Sequence, residues 1–245
     1  MLRLRRVVWL LSVSLLAGAT ANAQGRPSAP TVESILAKYV KALGGREAIL
    51  KITSRTMSGS FQVDSADRGT VEIVYKAPNL HHSVISVPGY GVLDSGLDAA
   101  GGWEKGPDQP LHALSGVDLS RSRREADLHK AAKIAQLYKS VSVKGKGKAG
   151  ERDAWLVTAV PPEGHPETMY FDAETGLLVR VDLQVESEGK LVAVERHYED
   201  YRPVDGVKVA HLVRFVNPGI SYALRFSEVK HNVPIDPAKL TRPAN

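Results

Sequence analysis

The sequence predicts an α+β, mainly β protein: a single curved antiparallel sheet of about 10–11 strands that forms an open half-barrel and is covered by two or three helices. Three observations lead to this prediction. Two segments repeat apolar residues at helical spacing, and the segments between and after them alternate as strands do. The strands are joined by short turns, whereas a parallel crossover needs about a dozen residues or more. A sheet with this many strands has to curl, close or split, and the amphipathic helices can cover its apolar face.

Residues 1–23 have the pattern of a cleaved secretory signal peptide. Three arginines precede an apolar run over residues 7–17, and Ala21-Asn22-Ala23 is a small-residue cleavage site. The apolar run is shorter than the roughly 20 residues of a transmembrane helix. We therefore expect an exported, periplasmic protein with a polar linker over residues 24–30 and one domain over residues 31–245. A retained membrane anchor is the alternative.

Composition narrows the class of protein further. The formal net charge of +5 falls to +2 once the three arginines of the signal are removed, so a nucleic-acid partner is not expected. The chain has no cysteine, which excludes disulfides, thiolate metal sites and lipid attachment to a cysteine. A secreted domain of this size can instead rely on its hydrophobic core.

The first helix is predicted from Thr31, a plausible N-cap, to the Gly44-Gly45 pair that ends it. Apolar residues recur along one face at helical spacing: Val32, Ile35, Leu36, Tyr39, Val40 and Leu43. A short helical turn should follow over residues 46–50. A second helical segment is predicted over residues 118–139, capped by Asp118 or Ser120, with a charged first half that faces water.

The remaining segments predict strands. In the first half they are residues 55–63 and 69–76, joined as a hairpin by a turn at 64–69, then 82–87 and 91–97, with residues 101–104 as a turn leading into a short strand. In the second half they are residues 153–160, 167–171, 177–185, 191–198, 207–215 and 220–229. Turn sequences such as Asp205-Gly206 join them, and alternation gives each strand one dry and one wet face.

Several of these segments resemble the LolA/LolB-like superfamily, bacterial periplasmic proteins that include outer-membrane lipoprotein-sorting and carrier proteins. The matching stretches are Gly44-Gly45-Arg46-Glu47-Ala48 and residues 69–80, 96–98, 102–103, 170–178, 201–208 and 229–237. The resemblance implies an open, half-closed antiparallel barrel lidded by helices, which holds acyl chains or another lipophilic ligand. One position departs from the pattern: Ala77 precedes Pro78 where the family's best-known carrier has an arginine that latches its lid. A broader lipid-binding role does not need that arginine.

The predicted ligand-binding residues are apolar or aromatic side chains assigned to the inner face of the sheet and to the lid helix. They are Ile35, Tyr39, Val71, Ile73, Tyr75, Trp103, Val181, Leu183, Phe215, Tyr222 and Leu224. Ordinary core packing is the alternative for each of them.

The sequence offers little chemistry beyond this apolar set. Neighbours on a strand point to opposite faces, so His81 and His82 cannot share one metal ion without distortion. A set of His197, Glu199 and His211 is a geometric possibility only. Lysines alternate with glycines over residues 144–148, which fits either attraction to anionic headgroups or protection of an edge strand. No G-x-S-x-G, H-E-x-x-H or P-loop motif occurs, so no catalytic residue, metal or cofactor is predicted.

We therefore predict a periplasmic protein that binds or carries an acyl chain, lipid or lipoprotein in an apolar cavity, without catalysis. The expected partners are that lipid or acylated ligand and a membrane-bound protein that donates or accepts it, with no nucleic acid; a monomer is expected. Two alternatives stay open, a cell-envelope interaction or sensor module without a small ligand and a hydrolase. A filled interior would favour the module, and converging polar, titratable side chains would favour the enzyme.

Overall fold

The computed structural model describes residues 29–187 and 189–243. The predicted signal peptide, and all but the end of the predicted linker, lie outside the described residues. The helices described are α1 (Val32–Leu43), α2 (Arg46–Leu50), α3 (Gly116–Ala126), α4 (Lys130–Leu137) and a 3-10 helix at Pro237–Leu240. None of them is long and apolar enough to cross a membrane.

The strands form one antiparallel sheet that is not closed into a barrel. They are β1 (Ser54–Val63), β2 (Ala66–Lys76), β3 (Leu80–Val87), β4 (Gly91–Asp98), β5 (Gly101–Gly106), β6 (Gln109–Ala113), β7 (Ser140–Ala149), β8 (Arg152–Val160), β9 (Glu167–Asp172), β10 (Leu178–Ser187), β11 (Lys190–Val204), β12 (Val207–Asn217) and β13 (Ile220–His231). The order across the sheet is β6-β5-β4-β3-β2-β1-β13-β12-β11-β10-β9-β8-β7. The chain therefore builds two meanders, and pairing of β1 with β13 joins them.

The predicted fold class is confirmed, and the strand number is higher than predicted. The sheet has 13 strands among the described residues, against the 10–11 expected. Residues 101–104, predicted as a turn, already lie in β5, which pairs with β6. Pro110 makes the sequence of β6 unlike that of a typical strand. An edge strand tolerates proline, because the backbone groups on one side of it have no hydrogen-bonded neighbour strand.

The first hairpin is tighter than predicted. Its strands extend to Val63 and Ala66, which pair with each other, so the turn is Asp64-Ser65 and not residues 64–69. Both turn residues have positive φ, 51° and 63°. Two such residues give the backbone twist that matches a two-residue hairpin.

The predicted single helix over residues 118–139 is wrong, since the structure has α3 and α4 with a break at residues 127–129. Asp127 is extended at φ −66° and ψ 105°, and its side chain accepts a 2.8 Å hydrogen bond from the His129 amide. This local bond competes with continuation of the helix. The N-cap of α3 is Ser115, not Asp118 or Ser120. The charged first half does not wholly face water either, because Arg124 is buried.

Helix α1 agrees with the sequence prediction and is fixed at both ends. Thr31 caps its N-terminus by accepting a 3.2 Å hydrogen bond from the Ser34 amide. At its C-terminus Gly44 has φ 124° and lies so close to the β11–β12 turn that a Cβ there would be 2.1 Å from the Gly206 carbonyl oxygen. The buried face of α1 consists of Ile35, Tyr39 and Leu43.

The close contact at Gly44 gives a test of how α1 is docked. We expect Gly44→Ala to lower the free energy of unfolding more than Gly45→Ala does. Both positions have positive φ, for which strain costs about 1–3 kcal/mol, but a Cβ at Gly45 would meet open space. Urea unfolding of the two variants measures the difference. Equal losses would show that α1 does not need this contact.

Candidate functional site

A cavity of about 580 Å³ lies between the inner face of the sheet and the helices. Its lining comes from α1, α3 and α4 and from strands of both meanders. A volume of this size falls within the range of about 300–1,000 Å³ that is usual for small-molecule sites. The side chains of the described chain therefore do not fill the interior.

One part of the lining is an apolar wall made by β1, β2, β12 and β13. Strand register places Val213 opposite Leu224 and Phe215 opposite Tyr222. The Phe215 and Tyr222 rings stack with centroids 4.7 Å apart and planes at 11°. Further wall residues are Met57, Ile73, Val209 and Phe226.

Most of the sequence-predicted binding residues lie around this cavity. Those that line it are Tyr39, Ile73, Tyr75, Trp103, Val181, Leu183, Phe215, Tyr222 and Leu224. Ile35 and Val71 do not line it, although both have the predicted inward orientation. Ile35 of α1 is buried in the larger apolar cluster, and Val71 is 1% exposed in a second apolar cluster, against which Phe61 and Ile85 pack. Periodicity predicts on which face of a strand or helix a residue lies. Whether that residue also lines the cavity depends on how the side chains around it pack.

A charged cluster inside the cavity was missed by the sequence analysis. Glu125, at the end of α3, lies 2.7 Å from the Lys130 ammonium at the start of α4 and 3.0 Å from the Arg196 guanidinium on β11. Arg55 on β1 also lines the cavity. The only signal available in the sequence was the position of Arg196 in its strand. Because side chains alternate between the two faces of a strand, Arg196 lies on the same inward face as Val194 and Tyr198.

The charges of this cluster stabilise one another against burial. Burial alone would raise the pKa of Glu125, but Lys130 and Arg196 hold it well below its usual value. Burial would likewise lower the pKa of Lys130, and Glu125 instead holds that pKa above its usual value. The pKa of Tyr75 is raised to about 12, first by burial and then by Glu125, while Arg55 and Arg196 oppose the shift. The hydroxyl of Tyr75 therefore experiences the charge of Glu125 on α3 and the charges of the two arginines.

A second buried network attaches the helix pair to the sheet. Glu167 on β9 accepts from the Arg124 guanidinium at 3.0 Å and from the Tyr138 hydroxyl at 2.6 Å. The Arg124 guanidinium also lies 5.3 Å from the centre of the Tyr138 ring. One carboxylate thus connects the end of α3 with the residue that follows α4.

The histidines considered as metal ligands are kept apart. His81 lies against Tyr75 on the cavity side, with ring centroids 4.7 Å apart, whereas His82 pairs with Asp94 at 3.0 Å. His197 pairs with Glu195 at 2.9 Å, and His211 bonds to the Val209 carbonyl at 2.9 Å. Glu199, the remaining member of the set, pairs with Arg214 at 2.9 Å. Within residues 29–187 and 189–243, no three metal-ligating side chains come together.

The lysines of residues 144–148 lie on β7, which is an edge strand of the sheet. Lys144, Lys146 and Lys148 are exposed and alternate with the half-buried Gly145 and Gly147. This is the arrangement that discourages pairing with another chain at an open edge.

No family model and no curated protein sequence matches the chain. Among solved structures, the LolA superfamily protein NE2245 of Nitrosomonas europaea aligns with 87% of this chain and 99% of its own, with a TM-score of 0.56 and 13% identity. This chain has a LolA-like fold. A Vibrio parahaemolyticus domain named for outer-membrane lipoprotein sorting covers 84% of this chain and 97% of its own, at a TM-score of 0.53 and 13% identity.

A DUF1329 family protein of Desulfovibrio piger is similar to the same extent, with a TM-score of 0.55, 13% identity and coverage of 86% of this chain and 97% of its own. The resemblance seen in the sequence at residues 69–80 and 170–178 is therefore confirmed for the LolA-like fold. At 13% identity these structural similarities show the fold alone.

The buried carboxylate of Glu167 should be important for stability. We expect Glu167→Ala to lower the free energy of unfolding by about 3 kcal/mol or more, because it leaves the Arg124 charge buried without its partner. Glu47→Ala is the control: its ion pair with Lys51 is exposed and should contribute less than about 1 kcal/mol. Chemical denaturation measures both, and a Glu167→Ala loss as small as the control's would contradict the role of the network.

Glu125 should make the free energy of unfolding depend on pH in the acidic range. Its pKa is lowered on folding, so its contribution is present above its usual pKa of 4.5 and is lost as the pH falls below that value. We therefore expect the parent protein to lose stability from about pH 5 downward more steeply than Glu125→Gln does. Urea unfolding at several pH values from 3 to 7 tests this. Parallel pH profiles would mean that Glu125 is not ion-paired in the folded state.

Proposed function

We propose that this protein binds or carries a lipophilic, chain-like ligand in the cavity, as an exported periplasmic protein and without catalysis. The observation that carries the proposal is the open space of about 580 Å³ beside an apolar wall. Burial of a methylene is worth about 0.8 kcal/mol, so a 14-carbon tail would gain on the order of 10 kcal/mol before the costs of association. The hydrophobic effect alone is sufficient to retain such a chain.

Two further observations support this function. A solved structure with this fold is named for outer-membrane lipoprotein sorting. The pattern of residues 1–23 favours export to the periplasm, where a lipid carrier would have a use. A carrier also needs a source and a destination, and we include in the proposal a membrane-bound protein that supplies or receives the ligand.

Enzyme active sites also contain clusters of charged side chains, but the electrostatics of this cluster favour binding. General acid–base catalysis needs a group whose pKa lies near the working pH. The opposite charges move the pKa of Glu125 down and that of Lys130 up, away from neutrality. Burial and the neighbouring His82 lower the pKa of His81 to about 4. Near neutral pH Glu125 and Lys130 therefore stay charged and His81 stays neutral, so none of the three is suited to exchange a proton.

Blocking the cavity from one strand tests the proposal. Ser83 on β3 lines the cavity, and Ser86 on the same strand has the opposite parity and so faces outward. We expect Ser83→Trp to weaken binding of a fluorescent long-chain fatty-acid probe at least tenfold, because the indole occupies ligand volume. Ser86→Trp should bind the probe as the parent protein does.

Two measurements together decide the matter. Native mass spectrometry of protein purified from the periplasm should show a co-purifying lipid, and probe displacement should distinguish the two tryptophan variants. Absence of any lipid, combined with no probe binding by the parent protein, would overturn the proposed function.

A further inference from the structure

Arg55 is a cation with no carboxylate partner among the described residues. Its Nε donates a 2.9 Å hydrogen bond to Nε2 of His231, and burial lowers its pKa. Strand register places Arg55 between Tyr75 and His231, with His81 beyond Tyr75. None of these three neighbours offers a negative charge, because a histidine is either neutral or positive and burial raises the pKa of Tyr75 to about 12, which keeps its hydroxyl protonated. A guanidinium remains charged under these conditions, and leaving it without a counter-ion is unfavourable.

The charges around this end of the cavity do not balance. Glu125 is shared by Lys130 and Arg196, so three cations, including Arg55, face one carboxylate. The other carboxylates of the lining have different neighbours. Asp118 pairs with Arg121, Asp127 with Lys133 and Glu167 with Arg124, and Glu104 faces Asp118, His112 and Arg121. An excess of positive charge is therefore left beside Arg55.

An unused hydrogen-bond donor accompanies this excess charge. The Nε atom of Arg196 is buried and has no hydrogen-bond partner within the described residues. The Nε atoms of Arg124 and Arg242 are also buried without a partner in the described part of the chain, but of the three arginines only Arg196 lines the cavity, where a bound acceptor could reach it. Arg196 also lies 5.2 Å from the centre of the Phe215 ring, at the start of the apolar wall. The donor-rich end and the apolar wall are therefore parts of one continuous cavity.

We propose that this end of the cavity binds the anionic head group of an amphiphile, a long-chain carboxylate or alkyl phosphate, with Arg55 as its main contact and Arg196 and Lys130 beside it. The inference rests on the proposed function and specifies its ligand class. A guanidinium binds carboxylate and phosphate oxygens with paired, charge-assisted hydrogen bonds, and the chain would then extend along the wall of Phe215, Tyr222 and Leu224. The unmatched charge thus orients the ligand.

The test compares ligands that differ only in the head group. Binding of palmitate, hexadecyl phosphate and methyl palmitate to the purified protein is measured by displacement of an uncharged fluorescent probe. We expect at least one of the two anions to bind tenfold or more tighter than the methyl ester. The anion that binds more tightly identifies the head group. Acetate and inorganic phosphate at millimolar concentration should not displace the probe.

Variants of Arg55 test whether this residue causes the preference for the anionic head group. Arg55→Met should lower the affinity for the anion at least tenfold and remove its preference over methyl palmitate, because the ester makes no charge-assisted pair with the guanidinium. Arg55→Gln, which can still donate to His231, should behave in the same way and keeps the test valid if the methionine variant fails to fold. Arg225→Met is the control, since Arg225 is exposed on β13 and does not line the cavity.

The outcomes separate this inference from the proposed function. Equal affinity of the parent protein for the anions and the ester would overturn the head-group site and leave lipid binding standing. An anion preference that survives in both Arg55 variants would also overturn the site. Displacement of the probe by millimolar acetate or inorganic phosphate would indicate a site for small anions and overturn the proposal that the ligand is an amphiphile. No binding of any of the three chains would overturn the proposed function itself.

Discussion

The ion pairs of Glu125 are the interaction on which the arrangement of the cavity depends. This carboxylate ends α3, and it contacts Lys130 at the start of α4 and Arg196 on the sheet. It therefore spans the break between the two helices and ties both of them to β11. These three partly buried charges are stabilised by pairing with one another, so the pairs hold the helices at this spacing from the sheet. A purely apolar contact would allow them to move closer and close the space.

The same constraint explains why the chain uses two short helices where the sequence pattern suggests one. A continuous helix over residues 118–139 would carry Glu125 and Lys130 along one rod, five residues apart. The break at Asp127 changes the direction of the chain between them. Arg124 can then reach Glu167 while Glu125 reaches Arg196. Adjacent residues of one helix are thus connected to different strands of the sheet.

Sequence periodicity was sufficient to predict the antiparallel sheet and the inward faces of its strands, because alternation and short turns are local properties of the chain. It therefore placed residues such as Ile73 and Leu224 on the cavity side. It could not show that Val71, with the same parity as Ile73, is 1% exposed within an apolar cluster and does not line the cavity, since this depends on how the sheet curves. The break at Asp127 depends on one side-chain bond to the backbone, which competes with an otherwise helical pattern. The charged cluster joins residues far apart in the chain, and its members resemble ordinary surface charges when each is seen alone.

The mixed lining also bears on what kind of binding such a cavity can provide. An apolar wall gains free energy in proportion to the area buried and discriminates poorly between chains of similar length. A fixed charge in a site of low polarity discriminates more strongly, because a ligand without the matching group leaves that charge unpaired. In this molecule the wall of Phe215 and Tyr222 and the guanidinium of Arg196 meet at 5.2 Å. Under the proposed function, retention of the chain and selection of the head group are therefore assigned to different residues of one cavity.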